Sequence, residues 1–286
     1  GGRRPVSHGV VTSVRLLAGA DAPALRGLLA TDPVAYAMVS ERLQLLGVGT
    51  ALGAEMWGCF RGEDLVAGMY LGANVVPVGA EPEAIAAFAS RARLTARRCS
   101  SIVGPAAPVL DFYQQLERSW GKARDVRPDQ PMLAISGPPA IPGNPQVRTA
   151  TLDDLEAVFP ASVAMFTEEL GISPLTPDGG AGYRRRVISL IQQGRAFVLI
   201  EDGEVVFKAE VGVVAQGVAQ IQGVWVDPSH RGHHLSEAGM AAVVELTRAR
   251  FAQTVSLYVN SYNLAALAAY RRVGFVQVGE FATVLY

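Results

Sequence analysis

Residues Ile221–Ala241 read I-Q-G-V-W-V-D-P-S-H-R-G-H-H-L-S-E-A-G-M-A, and how they fold decides the architecture. Ile221–Val226 is a short apolar run with β-branched and aromatic side chains, the composition of a buried strand. Asp227-Pro228 ends it, because proline has no N–H with which to continue a ladder. A polar, glycine-containing turn follows, and Ser236-Glu237 opens an Ala/Val/Leu-rich helix reaching about Phe251. A strand feeding a tight turn into a helix N-terminus suits an anion. The first-turn N–H groups have no partner in the helix, and the helix dipole is positive there. Arg231 adds a full charge beside them. Elements of this kind also occur with nothing bound, so the next stretch matters.

Val255–Val259 is a second strand, followed by Asn260-Ser261-Tyr262-Asn263 and a helix over Leu264–Val273 that Gly274-Phe275 closes. Asn263 is a natural N-cap and Gly274 a natural C-terminal stop. Tyr270 follows the cap by about two helical turns, on roughly the same face.

Together these stretches resemble the acetyl-CoA site of the GNAT (GCN5-related N-acetyltransferase) superfamily. The family loop Q/R-x-x-G-x-G/A lies over Arg231-Gly232-His233-His234-Leu235-Ser236. The later signature N-x-x-A-x-x-x-Y-x-x-x-G-F is matched completely by Asn263, Ala266, Tyr270, Gly274 and Phe275. Two departures lie in the loop: His234 stands at the first motif glycine and Ser236 at the small last position.

The resemblance implies acetyl-CoA as co-substrate and a primary amine as acceptor, either a small molecule, a peptide N-terminus or a lysine. It implies that the backbone of Val224, Trp225 and Val226 pairs with the pantetheine arm like an added strand. The amides of Gly232, His233, His234, Leu235 and Ser236 take the pyrophosphate, and Asn263 contacts the CoA arm, caps its helix, or does both. Tyr270 is the general acid; a phenol near pKa 10 is a reasonable match to a thiolate leaving group. Its bland alternative is a packed tyrosine with its hydroxyl bonded elsewhere. A base is harder to find, because Gln220 and Gln222 stand where several family members carry a glutamate. Glu210, Glu168 and Glu169 remain as candidates, and the last two could equally attract a cationic amine or solvate a helix end. His234 must turn its ring out of the phosphate pocket or crowd it, whereas a protonated imidazole would attract phosphate; crowding is the expectation. His230, His233, His234 and Asp227 contain metal-ligand types, but adjacent histidines rarely converge, so no metal is expected. A non-catalytic acyl-CoA-binding sensor is the alternative function.

At 286 residues the chain exceeds the usual single-domain size. A net charge of −1 gives no global reason to bind nucleic acid. Its two cysteines, Cys59 and Cys99, lack C-x-x-C spacing and read as free buried thiols. No apolar run approaches a membrane span and no signal core follows the N-terminal residues, so the expected location is cytoplasmic.

The organisation is a repeat. Residues 1–12 read as a flexible lead-in. Gly137-Pro-Pro-Ala-Ile-Pro-Gly-Asn-Pro145 forbids helix and sheet and marks a linker over 137–146. Beyond it the pattern restarts: Val147-Arg148 echoes Val14-Arg15, Thr151-Leu-Asp-Asp154 caps a helix much as Asp21 does, and the Asp202-Gly203 hairpin parallels the one at Gly62. The expected fold is α/β (α+β), two tandem GNAT-like domains over 13–136 and 147–286. Each is a mixed, mostly antiparallel twisted sheet flanked by helices. Where the second copy has its Arg231 turn, the first has Val76-Pro-Val-Gly-Ala-Glu-Pro-Glu83, without a positive residue and with two carboxylates, so it should bind no CoA. The arrangement resembles tandem proteins of this family from actinobacteria whose N-terminal half has no assigned function. A homodimer, or a protein partner docked on the first domain, is the assembly left open.

Overall fold

The computed structural model describes residues 12–49, 53–176 and 178–286. The lead-in expected over 1–12 falls, apart from Thr12, outside them. The chain divides into two compact units: unit one holds residues up to Gln130 together with Gly279–Tyr286, and unit two is Pro131–Val278.

Unit one starts with β1 (Thr12–Leu16), α1 (Ala22–Leu29) and α2 (Ala37–Leu46), then the meander β2 (Glu55–Arg61), β3 (Asp64–Leu71) and β4 (Asn74–Val78). Next come α3 (Pro82–Ala92), β5 (Ser101–Pro105), α4 (Ala106–Trp120) and β6 (Asp125–Ile135), whose last residues belong to unit two. Unit two continues with β7 (Arg148–Thr149), α5 (Leu155–Leu170), α6 (Ala181–Gln192), β8 (Ala196–Glu201), β9 (Glu204–Ala215) and β10 (Val218–Val226). It ends with α7 (Leu235–Arg250), β11 (Thr254–Tyr258), α8 (Leu264–Val273) and β12 (Val276–Leu285), which returns to unit one.

Each sheet has the same order and sense. In unit one β1, β2, β3 and β4 are antiparallel neighbours, β4 lies parallel to β5, and β5 is antiparallel to β12. In unit two β7, β8, β9 and β10 are antiparallel neighbours, β10 lies parallel to β11, and β11 is antiparallel to β6. The mixed, mostly antiparallel sheet expected for each copy is present. Its last strand is exchanged: Phe281–Leu285 close the sheet of unit one, and Met132–Ile135 close that of unit two.

The repeat extends to side chains. Arg15 holds Asp21 through bonds of 2.9 and 2.8 Å, and Asp21 accepts the Ala18 N–H. Arg148 holds Asp154 at 2.7 and 2.8 Å, and Asp154 accepts the Thr151 N–H. The arginine in each pair drives its partner's carboxyl down to about 2.

The cores follow strand alternation. In unit two Phe207, Ala209, Val211, Ala219 and Ile221 meet Val243, Val244 and Tyr270 on one side of the sheet. On the other side Val198, Val205 and Trp225 meet Val158, Ala161, Met165 and Val187 of α5 and α6. Unit one buries Trp57, Met69, Val75 and Ile102 against Ile85, Phe88, Phe112 and Leu116, with Ala282 and Val284 of β12 included.

Two details differ from expectation. Residues 74–78 form β4, a strand hidden in the sequence by Pro77. Residues 137–146 contain no helix or strand and are fastened within unit two: Ala140 N–H donates to Val273 O at 2.8 Å and Asn144 N–H to Ala238 O at 2.8 Å.

Candidate active site

Parallel β10 and β11 are paired only over Val218–Gln220 and Thr254–Ser256. Beyond Gln220, β10 keeps its partner β9 while its other edge has no strand partner among the described residues. The cause is a double irregularity between Gln220 and Trp225, with Gly223 at φ 60°. A bulge bends the strand and increases its twist, and so carries it away from β11. Glycine is favoured at its centre by that φ, and a Cβ there would displace the Glu210 carboxylate. An open edge of backbone N–H and C=O groups at Val224, Trp225 and Val226 is what an amide-bearing chain pairs with when it joins a sheet.

Around the bulge lie groups from three elements. On β9, Lys208 and Glu210 point to the α5 side of the sheet. Lys208 is 3% exposed, and its Nζ lies 2.9 Å from Gly223 O, 3.6 Å from Glu210 Oε1 and 3.6 Å from Met165 Sδ. On α5, Glu169 is near enough to Tyr270 and to Tyr183 of α6 to disfavour their ionisation. Glu168 is differently occupied. It accepts a 2.9 Å hydrogen bond from Arg231, which holds its carboxyl below the usual range, with help from the indole of Trp225. That indole N–H is otherwise buried without a hydrogen bond of normal geometry. A carboxylate so held is a weaker base than a free glutamate.

The loop from Asp227 to His234 has a 3-10 turn over Pro228–His230, then Gly232 at φ 82° and His234 at φ 58°. His234 is the N-cap of α7 but makes no capping bond with its side chain. The site thus keeps the left-handed backbone that a glycine would supply, carried by a residue that tolerates it at some cost. Its ring points outward, 76% exposed, with Nδ1 3.3 Å from Glu237 Oε1. Glu237 also pairs with Arg272 of α8. Burial favours the neutral Glu237 carboxyl, but hydrogen bonds from His234 and Arg272 outweigh it and lower its pKa. Arg231 does not face the loop amides: Nε donates to Val226 O at 3.0 Å and the guanidinium engages Glu168. His230 contacts Asp227 at 3.0 Å and Glu201 at 3.4 Å, and the hydrogen bond to Asp227 raises its pKa. Among the described residues no three His, Cys, Asp or Glu side chains could hold a metal ion together, and no helix is long and apolar enough to cross a membrane.

On α8, Asn263 Oδ1 accepts the Ala266 N–H at 3.2 Å, so the capping role is filled. Tyr270 is buried with its ring edge-on to Phe275, centroids 5.9 Å apart. Its hydroxyl bonds to no other described residue, and burial, then the charge of Glu169, push its pKa up. The phenol is therefore a protonated donor with an uncommitted O–H.

The matching place in unit one is built otherwise. β4 and β5 are paired at Asn74–Ser101 and Val75–Ile102, and Pro77 in β4 has no N–H to offer. Gly104 packs against Val76 and Pro77, a Cβ there lying 3.5 and 3.6 Å from their side chains. Glu81 occupies the N-cap position of α3 without a side-chain capping bond, while Glu83 in its first turn pairs with Arg61 at 3.1 Å.

Glu210 lies against the bulge, Glu169 is close enough to Tyr270 to disfavour its ionisation, and Glu168 is tied to Arg231. Lys208 was missed by sequence reasoning. Its signal was present: a lone lysine in the apolar run Val205–Val213, two residues from Glu210 and so on the same face.

Residues 163–275 match the acetyltransferase (GNAT) family, and residues 54–158 match a domain of unknown function (DUF4081). No curated protein matches the chain. A GCN5-related N-acetyltransferase from Sphaerobacter thermophilus is 18% identical, with 95% of this chain and 94% of that one covered at a TM-score of 0.59. An acetyltransferase of the GNAT family from Colwellia psychrerythraea is 13% identical, with 96% and 99% covered at 0.56. A tandem GNAT protein from the clavulanic acid biosynthesis pathway is 15% identical, with 96% and 98% covered at 0.50. At such identities the likeness is one of fold, and it spans both units.

Proposed function

We propose that unit two, whose residues 163–275 match the acetyltransferase (GNAT) family, moves an acetyl group from acetyl-CoA to a primary amine. The observation that carries this reading is the parting of β10 from β11 beyond Gln220, at a bulge whose Gly223 lies against Glu210, together with the uncommitted hydroxyl of the buried Tyr270.

The open edge at Val224–Val226 takes the amides of the pantetheine arm, and the N–H groups of Gly232–Ser236 at the start of α7 take the pyrophosphate. The acceptor approaches from the side of α5 and α6. Its nitrogen bonds to the acetyl carbon and the carbon–sulfur bond breaks. Tyr270 gives its phenolic proton to the departing sulfur, and Glu210 takes the proton that the nitrogen sheds. Glu169 adds negative charge that favours a cationic amine, while Glu168 keeps Arg231 in place.

The test is acetyl-CoA with a panel of primary amines: peptides with free N-termini, lysine peptides and small polyamines. CoA release with one class and not the others supports acetyl transfer and names the acceptor. Tight acetyl-CoA binding with no release across the panel would make this site an acyl-CoA sensor. Calorimetry should find one site per chain, because unit one offers Pro77 and two glutamates where unit two offers a free edge and a helix N-terminus; two sites would refute that assignment.

A further inference from the structure

Lys208 is 3% exposed, and its nearest charge, Glu210, is itself largely buried. Burying an ammonium is expensive unless its hydrogen bonds are met. Here Nζ donates to Gly223 O at 2.9 Å, with Glu210 Oε1 and Met165 Sδ each at 3.6 Å. Gly223, at a φ of 60° that favours glycine, leaves room for the Glu210 carboxylate. Lysine, glutamate and bulge form one interlocked unit.

The carbonyl that Lys208 grips belongs to the same peptide group as the Val224 N–H. A trans peptide is planar, with C=O and N–H pointing in opposite directions. A cation that fixes the carbonyl on one side therefore fixes the N–H on the other, pointing away from Lys208. Charge on the oxygen end also polarises the group and makes the N–H a stronger donor.

We propose that Lys208 is a positioning residue that turns the Gly223–Val224 peptide and polarises its N–H as the hydrogen-bond donor to the thioester oxygen. This rests on the acetyl-CoA reading above. The N–H meets the oxygen as negative charge develops on it, where a fixed donor in a site shielded from water is most effective. Glu210, drawn to the same ammonium, is held over the bulge beside the carbon that the amine attacks. One buried cation sets both the electrophile's donor and the base.

The test is isotope-edited infrared spectroscopy of acetyl-CoA labelled with carbon-13 at the thioester carbonyl, bound to the full chain without an acceptor. Bound to wild type, the band should move to lower frequency than in water. Lys208→Met should lose about half of that displacement or more and lower turnover about 10²-fold, with the KM for acetyl-CoA within about threefold. Lys208→Arg should recover much of both, since its guanidinium can still donate to Gly223 O. Glu210→Gln should keep the band while losing turnover, which separates the two roles. If Lys208→Met does not fold, Gly223→Ala is the second probe: it disturbs the peptide with the lysine intact and should lose the same displacement. An identical band in wild type and Lys208→Met, or, should that variant not fold, in Gly223→Ala, overturns the inference and leaves the acetyl-transfer reading standing. No bound band in wild type overturns both.

Discussion

Arg231 of the loop after β10 and Glu168 of α5 are joined at 2.9 Å, with the same guanidinium bonded to Val226 O at 3.0 Å. The pair fastens the end of the open strand to α5, and this commitment makes Glu168 a weaker base than a free glutamate. Glu168→Gln should leave kcat within about threefold of wild type, whereas Glu210→Gln should lower it about 10²-fold. Steady-state kinetics with a fixed acceptor check this, and the reverse ranking would move the base to α5.

Tyr270→Phe should lower turnover about 10²-fold or more with little change in acetyl-CoA binding, because only the donated proton is removed. Burial raises the Tyr270 pKa, so in the folded chain the phenol stays protonated past pH 10. Ultraviolet titration should show its tyrosinate band appearing late. The folded state then keeps a proton that the unfolded chain has lost, so this group's contribution favours unfolding as pH rises above about 10. A full tyrosinate count at pH 10 in the folded protein would contradict the assignment.

His234→Gly should stabilise the chain by up to about 1 kcal/mol, because the φ of 58° suits glycine better than any residue with a Cβ. With the ring already turned to Glu237, CoA affinity at pH 8 should be equal or tighter in the variant. Thermal unfolding and calorimetry read the two effects, and weaker binding at pH 8 would show that the imidazole helps to hold the phosphates.

His230 should titrate above an ordinary histidine, because its hydrogen bond to Asp227 and the charges of Glu201 and Asp227 favour the imidazolium. The sign follows from linkage: the stabilisation is complete below about pH 6.5 and is lost as pH rises through the raised value. Proton NMR of the ring, compared with Asp227→Asn, measures it. A midpoint unmoved by that substitution would exclude the contact.

Legibility of the sequence varied with the physics. Asn263, Gly274 and the Asp202-Gly203 turn declare themselves, because capping and positive φ restrict residue choice locally; Asp202 and Gly203 lie at φ 52° and 76°. The bulge was not declared. Gly223 lies at φ 60° against Glu210, a contact across two strands that spacing along the chain does not encode. Lys208 lay unread for the same reason, since its partner is a carbonyl. Glu168 and Glu169 look equivalent as neighbours on one helix, and only the position of Arg231 separates them. β4 was hidden by Pro77, whose propensity the surrounding sheet overrides.

Exchange of the last strands reverses the usual order of maturation during synthesis. A nascent chain ordinarily completes its first domain while the second is still being made. Here β5 leaves the ribosome with one edge awaiting Phe281–Leu285, a delay of roughly 10–35 s at ordinary elongation rates. Through that interval unit one carries an unpaired, apolar strand edge of the kind that recruits chaperones or a neighbouring nascent chain. Unit two meets no such delay, because Met132–Ile135 are made before the strand they pair with. Unit two can close first, and its completion delivers the strand that unit one lacks.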